Sequence, residues 1–544
     1  MGVNVRRRSA GLALVVLVAS LLTPISSGGT NSASAAPNYI LGLQTVSGWS
    51  GKQTSLTASQ KEFIRKWVET KAQFNLSQAN CTAFFAPGTS SSQKTILSKR
   101  ATATCNEIKK NATWVIVKTV LSSTRIKSHQ GQIRVRLITD PTMASPTPAP
   151  SAGTDQPSTS KPPAEFGLTQ ASPVEKCKIT STGSGWNTVG FPINLRFGGR
   201  ETYQTLPKAG KIRAVVIGID FPNYKGTTPP AEYVKGATEK NNAFFEAMSY
   251  GAVSFEYTVL PRYIRMSKNA EDYGISTWGS SGDYGAYYRE ALAGAAREFD
   301  IGGYDVAYVM ASPQTPASAI TAGPGFPSPE TTEDGVIPLG TATGGMPVSE
   351  TAFRWMAHET GHLFGWVDLY DVSGRDDPGV GRHSRFGWWD IMSMNWETFN
   401  LEINGWFRFQ LGWIPDSDIT CIELAKLSEV GVNVENLALS KGKRLVVIRT
   451  GEQKALVIER RSITQYAPML NNPQLSGVLV YEVDGEKNFQ MAPVTILKKN
   501  GLVIRDQALS EFALRPSDEV STGNILVKVV SQSSTGSFVQ ISTK

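Results

Sequence analysis

One stretch restricts this chain more than any other: His358-Glu359-Thr360-Gly361-His362-Leu363-Phe364-Gly365-Trp366-Val367-Asp368. Two histidines four residues apart share a face only on a helix. The spacing therefore predicts a helix from Ser349, its candidate cap, to Phe364, with Gly365 as the stop. On that helix both imidazoles can hold one zinc ion, whose bonds to nitrogen run about 2.0–2.1 Å. Glu359 is offset around the helix and suits proton transfer to and from a water better than ligation. A catalytic zinc takes three protein ligands and keeps one position open. Gly365 lets the chain turn back, so Asp368 is the expected third ligand. His383, in the loop Val380-Gly381-Arg382-His383-Ser384-Arg385, is the alternative. The chain holds only four histidines, which makes a chance pair at this spacing uncommon. The fourth, His129, is expected to be exposed.

The amino terminus has the pattern of an export signal. Arg6-Arg7-Arg8 precedes a short apolar run, Ala10 to Leu22, and Ala33-Ser34-Ala35 offers a small-residue cleavage site. The expected mature chain starts near Ala36 and is extracellular, with attachment to a cell wall as a variant. The paired arginines also allow twin-arginine export. No later stretch is long and apolar enough to span a bilayer. In an exported chain the four cysteines are expected to pair. Of three pairings, Cys81–Cys105 with Cys177–Cys421 keeps each bridge within one segment. None of the four forms a CxxC pair, which argues against thiolate zinc.

Charge divides the chain further. Its net charge is +8, yet residues 37–140 hold fifteen Lys and Arg against four Asp and Glu. Such a segment attracts an anionic cell-wall polymer or a membrane surface, or is merely a well-solvated face. Nothing points to nucleic acid. The segment reads as a small α+β domain over 36–140. Its elements are a helix after Thr57 and Ser59 with capping-box spacing to Gln60 and Glu62, a second helix over Gln93 to Lys110, and strands near 113–121 and 132–138. Leu97-Ser98-Lys99-Arg100-Ala101 faintly resembles an OmpA-type peptidoglycan-associated module. Residues 141–166, rich in Pro, Ser and Thr, read as a linker.

From residue 167 to 416 buried-type strands alternate with helices: Ile212 to Phe221, then Pro230 to Ser249, Val253 to Tyr263, Tyr284 to Phe299 and Tyr304 to Ala311. That order predicts an α/β core. Residues 312–348 read as a long loop system. Beyond 417 helix signals nearly vanish, and short strands predict a β-rich, sandwich-like C-terminal domain over 417–544.

With those residues in place, His358 to Asp371 resembles the immune inhibitor A-type (M6) secreted zinc metallopeptidases, relatives of the metzincins with aspartate where those carry a third histidine. The resemblance implies a metzincin-like domain and a methionine turn beneath the metal. Trp389-Asp390-Ile391-Met392-Ser393 is similar to that turn, with Met392 in the role and Met394 as alternative. It also implies a secreted zinc endopeptidase, with Glu359 as general base and then acid. Tyr370, or a residue of the 380–396 loop, would steady the oxyanion. Further similarity lies in Val216 to Pro222, Phe409 to Ile414, Ala455 to Arg461 and Gly477 to Asp484. Where the family carries a carboxylate after Pro222 this chain has Asn223. Loop carboxylates allow structural calcium, without EF-hand spacing. The alternatives are a cell-wall-associated binding protein with an inactive peptidase-like domain, and a zinc hydrolase acting on glycan or lipid.

Overall fold

The computed structural model describes residues 39–72, 76–113, 115–123, 130–139, 163–179, 195, 197, 205–275, 282–320, 323–343, 352–371, 383, 385–393, 401–467, 475–487, 491–502, 509 and 511–544. The leader, most of the linker, His129, Ser349 and Met394 lie outside them. Within them the chain is mixed α and β, with five separate sheets.

Residues 39–139 run β1 (Tyr39–Val46), α1 (Ala58–Ala72), β2 (Leu76–Phe85), α2 (Ser91–Asn111), β3 (Ile116–Ser123) and β4 (Ile133–Thr139). The four strands form one sheet in the order β1-β4-β2-β3. The capping box is reciprocal: Thr57 Oγ1 accepts the Gln60 N–H at 3.2 Å, and Gln60 Oε1 accepts the Thr57 N–H at 2.8 Å. Glu62 takes no part and pairs with Arg65 instead. The pattern reading found only β3 and β4. In β2 the inward positions are the small Ala79, Cys81 and Ala83, which leave room for α2 but give little apolar signal. A disulfide joins Cys81 of β2 to Cys105 of α2.

The next sheet contains β5 (Gly210–Asp220), β6 (Val253–Val259), β7 (Ile264–Arg265), β8 (Val306–Ala311), β9 (Gly325–Phe326) and, beyond the separate hairpin β10 (Glu330–Thr332) and β11 (Gly335–Ile337), β12 (Gly340–Thr343). Its order is β6-β5-β8-β12-β9, with β7 also beside β5. All pairs are parallel except β12 with β9. Strand alternation separates two cores. Val215, Ile217 and Ile219 pack with Tyr287, Ala291 and Leu292 of α4 (Tyr284–Ala296). Ile212, Ala214 and Val216 face the core shared by α3 (Pro230–Met248) and α5 (Ala352–Leu363), which also pack on each other. The expected loop system at 312–348 thus contains the strands that complete this sheet. Strands of two and four residues are too short to show an alternation in sequence, and pairing with β8 is what makes β12 a strand.

After α6 (Gly405–Gln410) come β13 (Ile419–Glu423), β14 (Glu429–Glu435), β15 (Leu445–Arg449), β16 (Lys454–Arg461), β17 (Gly477–Asp484), β18 (Val494–Ile496), β19 (Glu519–Thr522), β20 (Ile525–Gln532) and β21 (Gly536–Thr543). They form the sheets β13-β15-β16-β17-β18 and β14-β21-β20-β19. Val434, Ile448, Leu456, Val480, Val527 and Val539 share the core between them. The opposite face of the first sheet is buried as well: Leu445, Val447, Val457 and Tyr481 join the core of Trp406 and Phe407 on α6. Burial on both faces explains why β15 to β17 read as unbroken apolar runs. Residues 163–166, counted with the linker above, dock here: Phe166 exchanges backbone hydrogen bonds with Gly431. Cys177 is bridged to Cys421 of β13. Gly501 and Leu502 lie in a turn closed by the Leu502 N–H on Lys499 O at 3.1 Å.

Candidate metal centre

The motif helix α5 ends because Gly365 takes φ +86°, the left-handed region. The Trp366 N–H bonds back to Gly361 O at 3.1 Å and the Gly365 N–H to His362 O at 2.8 Å, the Schellman pattern. Thr360 faces the opposite side, its hydroxyl 2.9 Å from that of Tyr308 on β8. The helix is thereby pinned to the sheet from behind.

This stop returns Asp368 to the helix face. Its Oδ1 lies 3.2 Å from His358 Nε2 and 3.4 Å from His362 Nε2. Each imidazole uses its other nitrogen on a backbone carbonyl: His358 Nδ1 on Ile391 O at 2.8 Å, His362 Nδ1 on Trp366 O at 2.9 Å. Donation at Nδ1 leaves Nε2 free as a ligand. With both imidazoles neutral and donating at Nδ1, the buried Asp368 Oδ1 receives no N–H, an arrangement that a cation between the three side chains would satisfy. Among the described residues, His358, His362 and Asp368 are the one group of three whose ligand atoms lie within 4.8 Å of one another. Two imidazoles and a carboxylate fit zinc.

The electrostatics are those of a coupled cluster. Burial works against the charged form of His362, but the Asp368 carboxylate prevails and holds its pKa up at about 9. His358 is raised for the same reason. Burial opposes the charge of Asp368 too, yet the two imidazoles hold it well below the usual carboxylate range. Burial pushes Glu359 up. Its Oε2 accepts the Gly325 N–H at 2.6 Å, so β9 fixes the orientation of the carboxylate. Near Glu359, burial and that negative charge push Tyr284 up to about 12.

His383 is buried and is not one of that group of three; its Nδ1 lies 3.4 Å from Ser393 Oγ. Tyr370 stacks near His358, ring centroids 6.5 Å apart, and near His383 at 5.3 Å. Met392 lies under the motif helix: a Cβ on Gly361 would fall 2.5 Å from its Sδ. Two contributors escaped the sequence reading. Gly325 was hidden in a Gly/Pro-rich loop with no local signal. Asp390 was visible only as an acidic residue in an otherwise apolar turn; it is fully buried, and burial pushes its carboxyl up to about 6. At the position where Asn223 departs from the family pattern, its side chain donates to Glu271 at 2.6 Å and accepts the Ala270 N–H. Both oxygens of nearby Asp220 are taken by Arg265, at 2.6 and 2.7 Å.

No family model matches this chain, and neither does any curated protein. Among solved structures, the OmpA-like domain of FopA1 from Francisella tularensis subsp. tularensis aligns at 15% identity with a TM-score of 0.15. The alignment covers 17% of this chain and 69% of that one, too slight a likeness to bear on fold or function.

Proposed function

We propose that this protein is an exported zinc endopeptidase with a metzincin-like catalytic domain, related to the immune inhibitor A-type metallopeptidases. The observation behind this reading is the convergence of His358 Nε2 and His362 Nε2 on one buried oxygen of Asp368. Zinc in such a site polarises a substrate carbonyl and acidifies water. The chain's own part is proton handling. Glu359 stands beside the ligands, held by the Gly325 N–H, and its raised pKa suits a group that accepts a proton and later passes it to the leaving amine. The test uses protein recovered from culture medium. It is expected to contain about one zinc per chain, to lose casein hydrolysis on chelation and to regain it with zinc. Zinc-loaded protein inert towards varied peptides would favour the binding-protein alternative or a zinc hydrolase acting on glycan or lipid.

The raised histidines also set a pH dependence. Ligation requires a neutral imidazole, and in metal-free protein His362 keeps its proton up to about pH 9. Zinc must displace that proton at lower pH. Apparent affinity is expected to rise about tenfold per pH unit where His362 alone must lose a proton, more steeply at lower pH where the raised His358 must lose one as well, and to level off above about 9. Chelator competition across that range measures it, and a flat profile would contradict the coupled cluster.

The N-terminal module is the proposed attachment site for an anionic wall polysaccharide. None of its four strands contains a carboxylate. Lys118, Arg134 and Arg136 lie on one sheet face, opposite the inward Ala79, Cys81 and Ala83. A groove of about 160 Å³ there is lined by Asn80, Thr82, Phe84, Val120, Arg134 and Arg136. Changing Arg134 and Arg136 to Ser is expected to weaken retention on polygalacturonate and flatten its salt dependence, with casein hydrolysis unchanged. Retention equal to wild type would refute this placement.

A further inference from the structure

The methionine turn does more than place a sulfur under the motif helix. The Ile391 carbonyl accepts His358 Nδ1–H at 2.8 Å, and the Met392 carbonyl accepts the N–H of Leu369, next to Asp368, at 2.9 Å. One turn thus orients one ligand's ring and the backbone beside another ligand. A thioether packs without direction, so the aim of these two carbonyls must be set by something else.

Asp390 is that group. Its Oδ1 accepts the Met392 N–H at 2.8 Å, and its Oδ2 accepts both the backbone N–H and the side-chain amide of Asn404, at 2.7 and 2.8 Å. Its carbonyl accepts the Ser393 N–H at 3.0 Å, closing the turn. A carboxylate this deeply buried persists because those donors satisfy it. Asn404 is itself held. It caps α6 by accepting the Phe407 N–H at 3.0 Å, and the next N–H, from Gly405, goes to Glu459 Oε2 of β16 at 2.6 Å. The Trp406 N–H reaches the Tyr481 hydroxyl of β17, which donates to the same Glu459 oxygen at 2.8 Å. An unbroken series of hydrogen bonds runs from the C-terminal five-stranded sheet through Asn404 and Asp390 to His358 and to the backbone beside Asp368.

We infer that Asp390 is a positioning residue of the metal centre, and that through Asn404 it makes the C-terminal sheet part of the scaffold that aims the ligands. This rests on the metal-centre reading above. It predicts that ligand geometry, and not only stability, depends on a side chain that touches no ligand directly.

The test uses the full chain loaded with cobalt(II), whose visible absorption reports ligand geometry, together with cobalt affinity by chelator competition. Asp390→Ala is expected to weaken affinity about 10–100-fold and alter the absorption bands, as loss of an outer-shell partner does. Asn404→Ala keeps the backbone donor to Asp390 and is expected to fall between Asp390→Ala and wild type. It also serves if Asp390→Ala does not fold. Val529→Ala, in the sandwich core away from Asp390, is the control: it lowers the melting temperature and leaves the spectrum unchanged. Wild-type affinity and bands in both Asp390→Ala and Asn404→Ala would overturn the assignment. So would a spectrum that follows melting temperature alone, with Val529→Ala shifting it equally. Wild-type protein that binds no cobalt would instead remove the metal-centre reading itself.

Discussion

Glu359→Gln is expected to lower peptide hydrolysis about 10²–10⁴-fold while zinc content stays at the wild-type level. The substitution keeps the shape and the oxygen that can accept the Gly325 N–H, but the amide cannot take up a proton. Glu359 is not one of the three convergent ligand groups, so metal retention should not depend on its charge. Hydrolysis on casein and zinc by elemental analysis, on the same preparation, decide the matter. Zinc lost together with activity would make Glu359 a ligand, and undiminished activity would remove it from the reaction. Gly325 belongs to the same expectation. Its backbone N–H locks one carboxylate oxygen, and a side chain there would approach Glu359 O to 3.0 Å.

Arg461→Met should cost about 3–5 kcal/mol of stability, because it leaves the buried Glu459 carboxylate without its cation. Arg461 is fully buried, its Nε 2.6 Å from Glu459 Oε1 and its Nη1 3.3 Å from Glu402 Oε2. Burial disfavours its charge, yet the two carboxylates reverse this and raise its pKa above the usual value. Glu402 retains Thr464 at 2.5 Å and the buried Arg408 guanidinium at 3.9 Å, whereas Glu459 retains Tyr481 and Gly405, neither of them charged. Urea unfolding should show the loss as a lower midpoint. Arg461→Met combined with Glu459→Gln should recover part of it, since one stranded charge is then removed. A midpoint within about 0.5 kcal/mol of wild type would show that the cluster is not maintained as an ion-pair network. The location adds weight: Glu459 holds the start of α6, and α6 starts at the residue that holds the turn under the motif helix.

The two halves of this picture differ in how far they can be read from residue order. In the motif, every relation lies within about three turns of helix and its exit. Four-residue spacing puts His358 and His362 on one face, and Gly365 supplies the positive φ that stops the helix. Asp368 then falls where the returning chain passes the two rings. Long apolar segments such as Ile212 to Phe221 announced buried strands for the same local reason. Small-residue strands did not. The inward face of β2 is Ala79, Cys81 and Ala83, and β9 and β12 are short Gly-bearing strands, with β12 lying between β8 and β9. Their identity as strands comes from the neighbour that pairs with them.

The sequence by itself therefore determined the motif helix, its stop and the residue types that meet there, because these follow from the period of a helix and the freedom of glycine at one φ. Only the tertiary structure decided which backbone N–H orients Glu359 and which nitrogen of each imidazole is free. Only it placed His383 Nδ1 beside Ser393 Oγ. Gly325 reaches Glu359 across 34 residues, and Glu459 reaches Gly405 across 54. Hydrogen bonds of that span exist only once the sheets have closed, when a buried polar group must take whatever partner the packing brings beside it.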